Sequence, residues 1–340
     1  MQPNLALREQ IVSLHEDGLS QYAIAAQLGR AQSTVSDHLK AHRESNTPTP
    51  IITGIHPDDL NTPHEDVITR LLTRQERTES RMAMRDAQVV EIPDSGPIGL
   101  AFVSDKHMGG DCDYRAMVDD VELIRDTPGM YAIETGDNSE NWLGSLAGLK
   151  GEQVVTSEEE YELVKWWFSR LTEHNKLLAV VAGNHDNRTK RYAGLDLIRQ
   201  ALQGAALLYD CEEVRFRLKL GAAEWRIKAR HKWPGHSKYN PAHAMTGGKA
   251  GYRFGGDDYD IAVGGHKHVG TMFFPDIFHM TKRLVVMVGT YKMDDEYGRA
   301  GGFPGTFGRG CGALIMRPDG RWQQQDDLES ACDYLTYLRR

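Results

Sequence analysis

The segment at residues 177–186, LLAVVAGNHD, joins an apolar run to four residues of a different character. The run at 177–182 has the length and composition of a buried strand. A tight turn after it needs only Gly183 and an amide-bearing residue such as Asn184. His185 and Asp186 are not explained by the turn. This strand end is therefore expected to carry chemistry, with partner groups elsewhere in the chain.

Working outward, other short apolar runs follow the same plan from residue 97 onward. Helical patterns such as 158–173 lie between the earlier runs, and the strictly alternating VRFRLKL at 214–220 begins a predicted hairpin. The runs are IGLAFVS (98–104), YAIET (131–135), KLLAVVA (176–182), IAVGG (261–265) and LVVMVG (284–289). This succession predicts a layered α/β domain with mixed sheets.

Five predicted strands end in loops that bear Asp, Asn, Glu or His. In layered α/β folds, ligands gather outside the carboxyl ends of strands, so these side chains are expected to converge. They are Asp105, His107, Asp137, Glu140, Asn184, His185, His231, His236, His266 and His268.

The donor atoms in these loops indicate a metal site. Carboxylates, an amide and imidazoles without a thiolate suit manganese, iron or zinc. Asp105 and His107 are two residues apart, as are His266 and His268, and alternate residues of an extended chain share a face. The donors are too many for one ion and about right for two ions, held roughly 3.5–4 Å apart by a shared carboxylate. We therefore predict two divalent ions, with manganese preferred and iron or zinc as alternatives.

The ordered series D-x-H, GD, GNHD, H and GHxH resembles the calcineurin-like metallophosphoesterase family over roughly residues 97–289. The resemblance implies a sandwich of two mixed β-sheets flanked by helices, and hydrolysis of phosphoesters at a dinuclear centre. It also implies two sets of metal ligands and a bridge: Asp105, His107 and His268; Asn184, His231 and His266; and Asp137 between the two ions.

The same resemblance makes His185 a general acid or a stabiliser of the transition state, and not a ligand. Imidazole is the side chain best matched to donate a proton near neutral pH. Asp186 is interpreted as a hydrogen-bond acceptor that fixes the loop. Glu140 stands where the family often has an aspartate that orients the catalytic imidazole, so we expect Glu140 to pair with His185. His231 lies at a strand end as the pattern requires, whereas His236 is interpreted as a loop or substrate-contacting residue.

The first 43 residues carry three short helical patterns, the last from about residue 31 to 42. Ser20 is placed to cap the second helix and Gly29 to end it. The spacing of Ala25, Gly29 and Val35 suits the close crossing of a helix-turn-helix, and the segment resembles the recognition unit of resolvase-like and regulator domains. The residues that its second helix would present to DNA are Gln32, Ser33, Thr34, Ser36, Asp37 and Lys40.

Charge leaves an alternative open for this module. Up to residue 43 there are four basic and four acidic residues, whereas a duplex binder usually carries an excess of positive charge. A three-helix module for protein contact or dimerisation is the alternative to DNA binding.

Changes in the pattern of apolar and polar residues set the predicted domain boundaries. They give a helix-turn-helix domain at 1–43, a linker and connecting helix at 44–94, and the metallophosphoesterase domain at 95–340. Apolar residues make up 40% of the 340 residues and charged residues 26%, with a net charge of -8, which is ordinary for a globular protein. The four scattered cysteines, and the lack of a signal sequence or a membrane-length apolar run, predict a cytoplasmic protein with no membrane partner. The connecting helix makes a homo-oligomer possible.

Together these features predict a metal-dependent phosphoesterase joined to a nucleic-acid reader. DNA is the favoured partner and substrate, because a nucleic-acid reader is joined to a phosphodiester-cleaving centre. The double-strand-break repair nucleases belong to the same family, which favours nuclease activity. The architecture also resembles phage-encoded or mobile-element enzymes, which would act in the host cytoplasm. One alternative is a phosphatase or cyclic-nucleotide phosphodiesterase that acts on small molecules or phosphoproteins. Another is a DNA-binding regulator whose phosphoesterase domain serves only as a scaffold. The complete ligand set disfavours this alternative, because an inactive site would be free to lose ligands.

Overall fold

The computed structural model describes residues 5–46, 64–85, 88–153, 155–235, 237, 240, 242–248, 250–253, 258–293 and 310–340. It divides into two compact units, Met1–Thr73 and Arg74–Arg340. Residues 47–63, which belong to the predicted linker and connecting helix at 44–94, and His236 lie outside the described residues.

The first unit begins with three helices around a small apolar core. They are α1 (Leu5–Glu16), α2 (Gln21–Leu28) and α3 (Gln32–Asn46). The Ser20 side chain accepts a hydrogen bond from the Ala23 amide at 3.3 Å, and Gly29 ends α2 with a left-handed φ of 62°. Both capping assignments are confirmed. The third helix continues four residues beyond its predicted end near residue 42.

The apolar side chains of this core come from all three helices. Ile11 of α1, Ile24 of α2 and Val35 of α3 are each fully buried. The sequence spacing therefore brings α2 and α3 together as the crossing of a helix-turn-helix requires. The connecting helix is α4 (His64–Arg85).

The second unit contains both strands and helices. Its strands are β1 (Val89–Ile92), β2 (Ile98–Val103), β3 (Met130–Glu134), β4 (Leu177–Val181), β5 (Leu208–Asp210), β6 (Val214–Leu220), β7 (Ala223–Arg230), β8 (Ile261–Gly264), β9 (Met272–Phe278), β10 (Thr281–Met287), β11 (Gly312–Met316) and β12 (Trp322–Gln325). Its helices are α5 (Tyr114–Asp126), a 3-10 helix (Gly144–Glu152), α6 (Ser157–Thr172), α7 (Asp186–Ala193), α8 (Leu197–Ala201), α9 (His243–Thr246) and α10 (Leu328–Leu338).

These strands form two mixed six-stranded sheets. Sheet I has the order β12-β11-β2-β3-β4-β5, in which β2 to β5 run parallel and β11 pairs antiparallel with both β2 and β12. Sheet II has the order β1-β6-β7-β8-β10-β9, in which β7, β8 and β10 are parallel. The carboxyl ends of the parallel strands in each sheet therefore lie along one edge.

Alternation along β2 shows how the layers form. Leu100 and Phe102 face sheet II and pack with residues such as Leu218 and Val286. Ala101 and Val103 face the other way, into a cluster with residues of α5, α6 and α10. A third cluster, around Trp233, Met245 and Tyr259, packs with Ala262 and Val285 of sheet II. The predicted α/β domain of two mixed sheets flanked by helices is confirmed.

Strand β1 lies in the segment that we assigned to the linker and connecting helix. It pairs in parallel with β6, and Ile92 is 5% exposed. The sequence VVEI is too short to show a period and has a glutamate inside it, which explains why no strand was predicted there. Sheet II therefore begins before residue 95.

Candidate metal centre

The candidate site is built where the edges of the two sheets meet. The loops after β2, β3 and β4 come from sheet I, and those after β7 and β8 come from sheet II. A side chain at Gly265 would collide with Ser104 Oγ and Asp105 Oδ2, so this glycine allows the two edges to approach. A hydrogen bond also joins the loop after β8 to the loop after β2, because the His266 amide donates to Asp105 Oδ2 at 2.8 Å.

The first cluster contains Asp105, His107 and His268. His268 Nε2 lies 3.0 Å from His107 Nε2 and 3.2 Å from Asp105 Oδ1. Asp105 and His107 are almost fully buried, whereas the His268 side chain is 36% exposed. The cluster is therefore open to solvent on the His268 side.

The second cluster contains Asp137, His231 and His266. His231 Nε2 lies 3.0 Å from Asp137 Oδ2, 3.1 Å from Asn184 Oδ1 and 3.2 Å from His266 Nδ1. Asp137 Oδ2 is also 3.8 Å from His107 Nε2 of the first cluster. One carboxylate oxygen is thus shared between two groups of ligand-type atoms.

Two observations indicate that both clusters can hold metal ions. Two ring nitrogens about 2.1 Å from one ion and at right angles would lie about 3.0 Å apart, close to the separations seen in both histidine pairs. In addition, Asp105 Oδ1 is buried and makes no hydrogen bond to any described residue, although His268 Nε2 is near. A buried carboxylate oxygen without a hydrogen bond is costly unless a cation neutralises it.

Backbone conformation marks the same residues. Among the described non-glycine residues, left-handed φ values occur at nine positions, and five of these are candidate ligands. The five are Asp105 (49°), His107 (48°), Asp137 (50°), His266 (72°) and His268 (47°). Such conformations cost free energy and tend to concentrate at functional sites. The fold therefore holds these side chains in position at a cost to stability.

The buried carboxylates of the two clusters favour positive charge on the histidines next to them. Burial alone would lower the pKa of His107, but the carboxylates of Glu140 and Asp105 outweigh it and raise the pKa to about 10. Burial opposes ionisation of His231 as well, yet Asp137 and Asp105 raise its pKa to about 9. The neighbouring carboxylates thus favour a positive charge on these two imidazoles. A bound metal ion would supply that charge in place of the protons.

The GNHD loop combines close approach with fixed geometry. A side chain at Gly183 would collide with Asp137, so glycine is needed here for space. Asp186 accepts hydrogen bonds from the Gly183 amide at 2.8 Å and from the Asn138 amide and side chain at 2.9 Å each. Asp186 therefore ties this loop to the loop after β3.

His185 lies beside both clusters. Its backbone amide donates to Asp137 Oδ1 at 2.8 Å, and its Nδ1 lies 2.6 Å from the Glu140 carbonyl oxygen. The Arg188 guanidinium lies against the ring, with Nη1 and Nη2 each 3.1 Å from a ring nitrogen. Burial, together with the charges of His107 and Arg188, lowers the pKa of His185 to about 4, although Asp137 opposes this shift. The imidazole is therefore neutral in this environment.

The Glu140 side chain makes its main contacts elsewhere than expected. Glu140 Oε2 lies 3.3 Å from His107 Nδ1 and 3.5 Å from His185 Nδ1, and it accepts from the Trp142 indole. Its other oxygen forms an ion pair with Lys292. The expected pairing with His185 is made mainly by the backbone carbonyl, because that oxygen is nearer to Nδ1 than the carboxylate is. The carboxylate instead contacts Nδ1 of the candidate ligand His107, whose Nε2 faces the first cluster.

We therefore expect Glu140→Gln to weaken metal binding about 10- to 100-fold, since a carboxylate behind a metal-binding histidine orients that histidine and raises its basicity. Competition with a metal-sensitive dye would measure the affinity. Glu160→Gln is the matched control, because Glu160 is also buried but bonds to Asn141 and Gln153. Unchanged metal affinity with slower turnover would instead assign the Glu140 carboxylate to His185.

Sequence reasoning missed Lys292, Trp142 and Arg188. Lys292 follows β10, and no local pattern links it to Glu140, which is 152 positions earlier. Arg188 was detectable only as a basic residue one helical turn after His185.

In the first unit, α3 presents part of the predicted DNA-facing set. Ser33, Asp37 and Lys40 are exposed. Gln32, Thr34 and Ser36 are half-buried, and the Gln32 side chain donates to Gln21 Oε1 of α2 at 2.8 Å. The exposed face thus mixes one acidic and one basic side chain.

Comparison with known proteins identifies the N-terminal module. The family model described as a helix-turn-helix domain matches residues 4–42, which confirms that prediction and supports DNA binding by this unit. No curated protein matches the chain. Among solved structures, GAP50, described as the anchor in the inner membrane complex of Plasmodium, is similar with 8% identity and a TM-score of 0.30, over 71% of this chain and 95% of that chain. No helix in the described ranges is both long and apolar enough to cross a membrane.

Proposed function

We propose that this protein is a dinuclear-metal phosphodiesterase of the calcineurin-like metallophosphoesterase type, and that its substrate is DNA. The observation that carries the proposal is the shared position of Asp137. Its carboxylate lies between the cluster of Asp105, His107 and His268 and the cluster of His231 and His266. A carboxylate between two groups of ligands is the arrangement that two-metal hydrolases use.

The donor set favours a particular class of ion. Asp105, His107 and His268 would hold one ion, Asn184, His231 and His266 the other, and Asp137 would bridge them. Oxygen and imidazole donors without a thiolate suit manganese first, and iron or zinc next. When bound, the two ions supply Lewis-acid activation of a phosphate ester and of the attacking water.

The protein's own groups complete the reaction. His185 is fixed at Nδ1 by the Glu140 carbonyl, so Nε2, which lies 3.1 Å from Arg188 Nη2, is the nitrogen that would exchange a proton with a leaving oxygen. The negative charge of a bound phosphate raises the pKa of a neighbouring imidazole, so substrate binding itself favours the protonated, acid form.

DNA is the proposed substrate because the same chain carries a helix-turn-helix. A module of this kind brings duplex DNA close to whatever is joined to it. The joined centre has the donors needed to cleave a phosphodiester, so the two parts serve one substrate.

A metal-dependent activity screen tests the proposal. The protein would be stripped with chelator, reloaded with manganese, iron or zinc, and assayed on bis-p-nitrophenyl phosphate, p-nitrophenyl phosphate, and single- and double-stranded DNA. We expect hydrolysis of the diester and of DNA that is lost on chelation and restored by manganese. Hydrolysis of the monoester alone would favour a phosphatase, and no hydrolysis with any metal would contradict the enzyme.

The helix-turn-helix is tested by reversing one charge. Asp37 is exposed on α3, where it would repel DNA phosphates, so Asp37→Arg should tighten duplex binding by about fivefold to tenfold at low salt. The gain should shrink as salt screens the contact. Fluorescence anisotropy with a labelled duplex would measure it.

The matched control is Asp17→Arg, an equal charge change at an exposed position after α1. Equal tightening by both variants would mean a nonspecific effect of net charge. No tightening by Asp37→Arg would favour the alternative of a protein-contact module.

A further inference from the structure

Exposed lysines stand beside the second cluster. Lys232 follows His231 directly, and Lys267 follows His266. Both lysines line a cavity of about 270 Å³ that His266 also lines. Within the described parts of the chain, neither ammonium has a carboxylate partner. Two uncompensated cations beside a candidate metal site are notable in a chain whose net charge is -8.

Basic and aromatic side chains also stand on the His185 side, along α7. The Arg188 guanidinium lies against His185. Arg191 is three residues later, hence on a neighbouring part of the helix surface, and it is exposed. Tyr192 is 63% exposed, and its ring occupies the space that a side chain at Gly144 would need. The Tyr192 ring therefore lies against Gly144 while much of its surface faces solvent.

Asp137 lies between these two groups. Its Oδ2 contacts His231, the neighbour of Lys232, and its Oδ1 accepts from the amide of His185. A substrate phosphate above Asp137 would therefore have cations on two sides. One small phosphate ester could not use both, whereas a chain of phosphates could.

The aromatic ring beside these basic groups bears on which nucleic acid enters. The bases of a duplex are paired and stacked on one another, whereas the bases of a single strand are free to stack on an exposed ring such as that of Tyr192. Channels for single strands combine a basic track with aromatic rings that stack on bases.

We infer that the site binds a single DNA strand that runs across it, with one flanking phosphate at Lys232 and Lys267 and the next phosphates at Arg188 and Arg191. Tyr192 supplies a ring for base stacking beside that second position. This inference rests on the proposed phosphodiesterase and specifies its substrate as single-stranded polynucleotide.

The test compares two substrates in the manganese-loaded full chain. The variant Lys232→Ala/Lys267→Ala and its control Lys165→Ala/Lys219→Ala would be assayed on bis-p-nitrophenyl phosphate and on a single-stranded octanucleotide. Lys165 and Lys219 are partly exposed lysines that pair with Glu162 and Glu224. We expect the ratio of kcat/KM for the octanucleotide to kcat/KM for the small diester to fall in the first variant and to hold in the control.

Salt dependence gives the expected size. Each phosphate contact on a single strand contributes about 0.7 to the slope of log affinity against log salt, so loss of the one phosphate held by Lys232 and Lys267 should reduce the slope of log kcat/KM by about 0.7. The wild type's advantage over the variant on the octanucleotide should therefore shrink about 2.6-fold between 50 and 200 mM salt. Arg191→Ala should reduce the slope by about 0.7.

The possible results distinguish a failure of single-strand binding from a failure of the proposed phosphodiesterase activity. No hydrolysis of either substrate by the wild type would contradict the phosphodiesterase itself. Hydrolysis of both with the same ratio and salt slope in wild type and variants would overturn the strand-binding track alone. A wild type that cleaves an octamer duplex faster than the single strand would overturn the choice of single-stranded substrate.

Discussion

Asp137→Asn is expected to lower kcat for bis-p-nitrophenyl phosphate on the order of 10³-fold and to reduce the bound metal. Asp137 is 1% exposed, and its two oxygens contact His231 and the His185 amide. An amide keeps the shape but removes the negative charge, and it turns one acceptor into a donor. The substitution therefore acts at a carboxylate that contacts both clusters.

Initial rates with manganese, and metal content by elemental mass spectrometry, would measure both effects. Asp111→Asn is the matched control, because Asp111 is an exposed aspartate in the loop after β2. A fully active Asp137→Asn protein with two bound ions would remove the basis for the dinuclear assignment. Loss of activity in the control as well would point to damage of the loop instead.

Convergence of the candidate ligands was predictable because its signals are local. Each apolar run marks a strand, and the polar residue that belongs to the site follows that strand closely in the sequence, as Asn184 follows β4. Parallel strands then place these polar residues along one edge of the sheet. The prediction did not need to know which strands pair.

The pairing of Asp105 with His107 does not arise from strand alternation alone. Alternate residues share a face in an extended chain, but Asp105 and His107 both have left-handed φ values near 50°. Lys106 between them is fully buried and pairs with Glu134 at the end of β3. The two ligands face the cluster because Lys106 points into the core, a contact that depends on the pairing of β2 with β3.

The partner of Glu140 could not be predicted for a similar reason. The sequence places Glu140 near His185 and His107 alike, and the choice depends on where Lys292 and Trp142 draw the carboxylate. Lys292 lies beyond β10 of sheet II and meets Glu140, which follows β3 of sheet I, only when both sheets are formed. Short elements such as β1 and β5 were missed because three or four residues show no period.

His185→Gln is expected to keep both ions and to lose turnover, by about 10²- to 10⁴-fold on substrates whose leaving group is an alkoxide. The side chain lies beside the clusters, and its Nδ1 is already engaged by the Glu140 carbonyl. Glutamine can donate a hydrogen bond but cannot transfer a proton as an acid at neutral pH. A nitrophenolate leaves without a proton, so bis-p-nitrophenyl phosphate should be affected much less than DNA or an alkyl diester.

The ratio of the losses on the two leaving groups, measured together with metal content, decides the role. His268→Ala is the comparison, because His268 Nε2 lies 3.2 Å from Asp105 Oδ1 in the first cluster, and this variant should lose metal. Equal losses on both leaving groups in His185→Gln, with metal retained, would assign the residue to binding of the phosphate instead of proton transfer. If His185→Gln lost metal as readily as His268→Ala, His185 would be a ligand, since only a group that contacts the ion directly should match the effect of removing one.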